Sequence, residues 1–180
     1  MSIYAHFSEQ ELVILRERAE RAATAEEKLN LEETLTVVHV TLGSEFYALS
    51  VDRLRAVYES VSVISVPYTP PFVAGIANIR GRITPVLDLA TVLNVPPAAD
   101  VPKSLLLIVR DELSVVFQVD AVGDIATILV NSIKPMPTGG QILASEIYLQ
   151  GIFANGITLL NIEAILNDPA LIVDHASGLL

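Results

Sequence analysis

The chain contains no cysteine among its 180 residues. That absence excludes a disulfide framework, a thiolate zinc site and a thiol nucleophile. Basic residues are also scarce, with 11 Lys and Arg against 21 Asp and Glu, a net charge of −10. No basic patch or run interrupts this balance, so a phosphate backbone finds no electrostatic footing and no nucleic acid partner is expected. Histidine is limited to His6, His39 and His175. None has a second His at ligand spacing, so a zinc site lacks its parts and no metal is expected. His39 sits among valines and is expected to be a partly buried strand residue. A Gly-x-Ser-x-Gly elbow, a phosphate-binding Gly-x-x-x-x-Gly-Lys loop and a dinucleotide fingerprint are all missing, so no cofactor is expected. The start, MSIYAHFSEQE, has no basic segment followed by an apolar one and does not read as a signal peptide. Residues 60–79 carry no charge over a membrane-length span, but Pro67, Pro70 and Pro71 would break a spanning helix. A cytoplasmic chain without membrane insertion is expected.

Apolar residues are plentiful. They make up 52% of the chain against 18% charged, ample material to bury against chain entropy. The balance is on the apolar side for a soluble monomer, which points to an exposed apolar docking face.

Residues 1–34 differ in kind from the rest. Ser8 can cap a helix start with Glu11 reaching back and Phe7 stapling onto Leu12. The helix is expected to run to about Leu29, and its narrow, alanine-rich stripe suits weak docking. From Leu35 the texture becomes short β runs. Val38, Val40 and Leu42 alternate with Val37, His39 and Thr41, the period of a strand. Further strands are expected at 45–50, 54–58, 61–66, 76–80, 83–87, 104–110, 113–119, 152–154 and 157–160. Turns are expected at Gly43-Ser44, Arg80-Gly81, Asp111-Glu112 and Asn155-Gly156. Such regular short strands indicate small antiparallel barrels. A weak repeat links Pro85–Asn94 to Thr158–Asn167: in each a strand ends at an Asx residue, Asp88 or Asn161, able to cap a short helix. The repeat implies two β lobes, near 35–95 and 104–167, joined by Pro96–Pro102, with residues 169–180 as a tail.

Asp88, Asp120 and Asp124 lie in apolar surroundings where a carboxyl could act as acid or base. Capping accounts for Asp88, and Asp120 and Asp124 flank Gly123 where a strand bends. A hydrolase using Asp120 or Asp124 is one competing reading, but no constellation supports it and a non-enzymatic chain is expected.

The most informative stretch runs from Gly75 to Leu89, GIANIRGRITPVLDL. Two arginines bracket a glycine at a hairpin tip on an otherwise acidic chain. Arginine joins a planar fork of donors to a stem that packs on apolar surface, which suits an anchor. This stretch resembles the CheW-like domain of chemotaxis coupling proteins and their partner kinases, whose pattern is approximately Gly-aliphatic-x-Asn-Leu-Arg-Gly-x-aliphatic-x-Pro-aliphatic-x-Asp-Leu, with Ile79 here in place of leucine. Supporting marks follow in order: Leu42–Tyr47, Val66-Pro67, Pro70–Gly75, Val119–Ile125, Ile133–Pro137 and Leu160–Glu163. Together they cover roughly 35–168.

The resemblance implies a mainly β fold of two SH3-like five-stranded barrel lobes around a shared core, with short helices and an N-terminal α-helix. It implies an adaptor at receptor–kinase arrays under the inner membrane, holding the cytoplasmic tip of methyl-accepting chemoreceptors and the regulatory domain of a CheA-type histidine kinase, with array-level self-association open. Carried over by residue, Arg80 contacts the receptor, with Gly75 and Asn78 shaping its neighbourhood. Leu54, Ala56, Val57 and Ile125 occupy kinase-contact positions. The family usually has an acid where Ala56 stands, so the kinase contact departs from pattern. Two alternatives stay open: an adaptor of a pilus-motility or other chemosensory pathway, and a structural array scaffold without signal relay.

Overall fold

A computed structural model describes residues 33–96, 102–136, 144–153 and 156–171. The expected N-terminal helix, Asn155 of the expected Asn155-Gly156 turn, His6 and His175 lie outside the described residues. Strands β1 (Thr34–Leu42), β2 (Glu45–Ser50), β3 (Leu54–Tyr58), β4 (Val63–Ile64), β5 (Val73–Ile79) and β6 (Arg82–Asp88) lead into a short helix α1 (Leu89–Val92). They are followed by β7 (Ser104–Arg110), β8 (Leu113–Val119), β9 (Ala121–Leu129), β10 (Leu149–Phe153), β11 (Ile157–Leu160) and helix α2 (Ile162–Asn167). A 3-10 turn at Pro169–Leu171 follows, with Leu171 packed on the core.

Two differences from expectation have identifiable causes, one local and one tertiary. The strand expected over 61–66 shrinks to Val63–Ile64, paired with Ala77 and Ile76; Pro67 then turns the chain away and has no N–H to extend the ladder. Strand β9 was expected only as a bend at Gly123. Its Gly, Asp and Ala residues are poor strand formers, yet it pairs along β1 through a register shift between Val38 and Val40. Tertiary pairing overrides propensity there.

The strands form a five-stranded sheet, β10-β11-β2-β1-β9, and a six-stranded sheet, β3-β7-β8-β6-β5-β4. The two sheets have the same plan. In each, a hairpin (β10–β11 or β5–β6) meets a second hairpin (β2–β1 or β8–β7) through one parallel junction, β11 with β2 or β6 with β8. A fifth strand, β9 or β3, then pairs antiparallel on the far side. Each ring is drawn together where the chain after the fifth strand returns to the first hairpin, through β4 on β5 or Lys134 on Ile152.

The sequence units behind this plan are consecutive, but the sheets are not. Residues 34–92 form one unit and 104–167 its repeat, and each gives its first hairpin to the other's sheet. The division at about 35–95 and 104–167 follows the repeat units along the chain, while each sheet draws strands from both. The physical reason lies at Ser50–Leu54 and Val119–Ala121, where the chain crosses from one sheet into the other.

The exchange explains where the core sits. Val37, Ala48, Phe153 and Leu159 fill one barrel, and Ala77, Ile79, Val86, Leu105 and Val116 fill the other. The largest cluster lies between them, with Val38, Val40, Leu42, Leu49, Leu89, Leu106, Ile108, Phe117, Leu160 and Ile165 buried together. Central strands are thus buried on both faces. The repeat's Asx residues act as expected. Asp88 Oδ1 accepts the Thr91 N–H (2.7 Å) and Asn161 Oδ1 accepts the Ala164 N–H (3.0 Å), each closing the start of a short helix. His39 faces the smaller barrel and stacks on Phe153, with ring centroids 6.3 Å apart.

Candidate binding surface

The β5–β6 hairpin turns in two residues, Arg80 (φ 53°) and Gly81 (φ 84°). Positive φ at both positions is the mirror-image turn that matches strand twist and normally takes Asn-Gly. Here arginine occupies the first place, at a steric cost that Asn would avoid. Asn78 holds the tip: its Oδ1 accepts the Gly81 N–H at 2.8 Å. Arg80 and Arg82 are exposed, and among the described residues neither has an ion-pair partner. Gly75 is buried at the other end of β5 with φ 148°, and a Cβ there would stand 2.2 Å from the Ile64 carbonyl oxygen. Its role is backbone clearance.

Beside this hairpin lies an apolar cavity of about 340 Å³, formed where the two units meet. Ile76 and Pro85 supply one side, Leu113 another, Ile165 and Leu166 of α2 a third, and Val66 the rim. No lining residue is charged. Ile64 and Ile83, both 66% exposed, occupy the outward positions flanking the Ile76–Pro85 pair. Arg80, Asn78 and Gly75 therefore belong to one hairpin whose outer face opens onto an apolar groove. Sequence reading missed the groove because its walls come from β5, β6, β8 and α2, distant in the chain.

The other candidates sit on edge strands. Leu54 is half-buried against the central core, Ala56 is half-buried, and Val57 is 41% exposed. Ile125, 66% exposed, lies on β9 at the edge of the other sheet. Their places correspond: Val57 pairs with Leu106 on β7, and Ile125 with Val38 at the equivalent point of β1. The structure thus puts these candidates on two sheets rather than in one cluster. Ala56 precedes Val57 as Asp124 precedes Ile125, so the carboxylate missing from one lobe is present at the matching place in the other.

The remaining polar groups act as latches. Asp120 is buried between Lys103, which it pairs, and the Gly43 N–H, which donates to its Oδ2 at 2.6 Å. That double engagement gives Asp120 a structural explanation. Glu163 on α2 accepts from Arg53 Nε (2.8 Å) and Arg110 (3.2 Å). The Arg110 bond chiefly, with Arg53 assisting, holds the Glu163 carboxyl below the usual range. Tyr148 donates to Asp168; burial first, then that bond, push the phenol up to about 12, while the same bond holds Asp168 low. Tyr47, buried and bonded to Glu45 (2.5 Å), is likewise raised. Among the described residues no group of carboxylates or histidines could hold a metal, and no helix is long and apolar enough to cross a membrane.

Comparison with known proteins decides the family. The CheW-like domain is matched over residues 36–170. The chain belongs to the CheW-like domain family. It is 30% identical to the chemotaxis protein CheW of Bacillus subtilis over 128 residues, 70% of this chain and 80% of the relative. The chemotaxis protein CheW of Klebsiella aerogenes is 28% identical over 142 residues, 76% of this chain and 85% of that one. Among solved structures, the scaffolding protein TtCheW from Thermoanaerobacter tengcongensis superposes with a TM-score of 0.64 at 27% identity, covering 72% of this chain and 90% of its own.

Proposed function

We propose that the chain is a non-enzymatic chemotaxis adaptor that couples methyl-accepting chemoreceptors to a CheA-type histidine kinase. The β5–β6 face receives the cytoplasmic receptor tip, with Arg80 as the charged anchor and the uncharged groove as the apolar seat. The single observation that carries this is an exposed arginine, without an ion-pair partner among the described residues, held in a strained turn beside an uncharged groove on a chain of net charge −10. An apolar seat with a guanidinium at its edge suits a helical hairpin that presents aliphatic residues and a carboxylate. The edge strands β3 and β9, with Leu54, Ala56, Val57 and Ile125, receive the kinase regulatory domain. The chain works in the cytoplasm, at receptor–kinase arrays under the inner membrane.

Such coupling requires contacts that differ between signalling states, because equal affinity for both shifts nothing. Reconstitution tests the reading. Receptor, kinase and the 180-residue chain together should give a phosphorylation rate that changes with receptor state, and omission of the chain should abolish the change. A rate that ignores receptor state in an assembled complex would reduce the role to scaffolding.

A further inference from the structure

Four described non-glycine residues have positive φ: Tyr68 (61°), Arg80 (53°), Asn94 (58°) and Asp111 (53°). Asn and Asp tolerate that conformation through local hydrogen bonding, whereas Tyr and Arg do not. The two intolerant residues both belong to the β4–β6 surface. Arg80 tips the hairpin that walls the groove. Tyr68 stands between Val66 and Thr69, both of which line it. Tyr68 is also the most exposed of the large hydrophobic side chains described.

The loop is built to hold it there. Pro67 precedes Tyr68, giving the order Pro then positive φ of a type II turn, whose second central place ordinarily takes Gly. Thr69 Oγ1 donates to the Val66 carbonyl at 2.8 Å across the same turn, and Pro70 follows. An aromatic ring wholly in water contributes nothing to the core, and its backbone strain opposes folding. Strain of this kind is found where function requires a fixed presentation.

We propose that Tyr68 is a second anchor for the partner seated in the groove, its ring closing over an aliphatic stripe while Arg80 engages a carboxylate beyond the other end. The proposal rests on the receptor reading of this surface. Its occupant is a helical hairpin of the receptor tip. Charge complementarity argues for that choice: the seat is uncharged, and Arg80 and Arg82 at its border have no ion-pair partner among the described residues of an acidic chain. Tyrosine suits the place because it brings a large rigid contact area at low entropic cost.

The test uses the full 180-residue chain and, as probe, a soluble helical-hairpin fragment of a chemoreceptor cytoplasmic tip. Tyr68→Asn, which accepts the same φ, should bind about tenfold more weakly while its Tm equals or exceeds the parent's by a few degrees. Tyr68→Phe should stay within about twofold of the parent. The chain has no tryptophan, so Tyr68→Trp supplies a single indole that should shift blue and saturate with added tip fragment. A Tyr68→Asn variant with lower Tm and unchanged affinity would make Tyr68 a structural residue and overturn the proposal. If Arg80→Glu weakens binding and Tyr68→Asn does not, the receptor reading survives and the Tyr68 anchor falls. If neither substitution changes affinity, the receptor reading of this surface falls with it.

Discussion

The β5–β6 and β10–β11 hairpins hold the same place in their sheets, and they have diverged in an instructive way. Both begin with a register shift at a buried glycine, between Val73 and Gly75 in one and between Leu149 and Gly151 in the other. Both glycines make room for a crossing backbone: a Cβ would meet the Ile64 oxygen at 2.2 Å or the Lys134 oxygen at 2.5 Å. Both hairpins end in an Asx-capped helix. The tips differ. Strands β5 and β6 have 7 residues each, against 5 and 4 in β10 and β11, and only the longer hairpin carries Arg80 and Arg82. What the repeats share is the requirement of folding; what one has alone is the proposed place where a partner is met.

That division can be broken at its strongest point first. Gly75→Ala and Gly151→Ala should each cost about 3 kcal/mol or more, because the added carbon meets backbone rather than a movable side chain. Urea denaturation checks this, and Gly75→Ala should be the worse since its φ adds strain. A mild effect in either would separate the two hairpins structurally. Arg80→Glu should leave the unfolding midpoint unchanged and weaken receptor-tip binding by about 2 kcal/mol or more in calorimetry, whereas Gln150→Glu, an exposed change in the shorter hairpin, should leave affinity alone. Asp88→Ala and Asn161→Ala should each cost about 1 kcal/mol of stability. Asp88 also accepts from Gln118 at 3.2 Å, so its loss should be slightly larger.

The smallest effect is electrostatic. Glu163 and Asp168 have folded-state values lowered below their unfolded ones. Their contribution is fully present above the ordinary carboxylate range and is lost as pH falls through the lowered values. Glu163→Gln should therefore cost less than about 1 kcal/mol at neutral pH, since all three side chains of its network are partly exposed. The difference from the parent should shrink as pH falls through the carboxylate range, as thermal melts from pH 7 downward would show.

Much of the fold could be read from local pattern. Strands β7, β8 and β11 follow from apolar runs bounded by turn residues, and the two Asx caps follow from the repeat itself. What escaped depended on distant partners. Nothing in Ala121–Leu129 declares a strand until β1 lies alongside, and nothing in a linear repeat says that its hairpins change sheets. Of the candidate site, the Arg80 turn was visible because Arg-Gly between two apolar runs is a local signal. The groove was not, since Leu113, Ile165 and Ile76 meet only after folding. Tyr68 had a faint local signal, Pro before a residue obliged to take positive φ, but the turn type is settled only by structure.

The exchange of hairpins has a consequence for synthesis. The first hairpin made, β1–β2, can complete its sheet only after Leu160 has been added. At roughly 5–20 residues per second, that leaves the edge of β2 without its native partner β11 for on the order of ten seconds. Neither repeat can finish alone as it leaves the ribosome, so folding waits for nearly the whole domain. A chain arranged this way commits late, and while it waits its open hairpin can pair with the same segment of a neighbouring nascent copy.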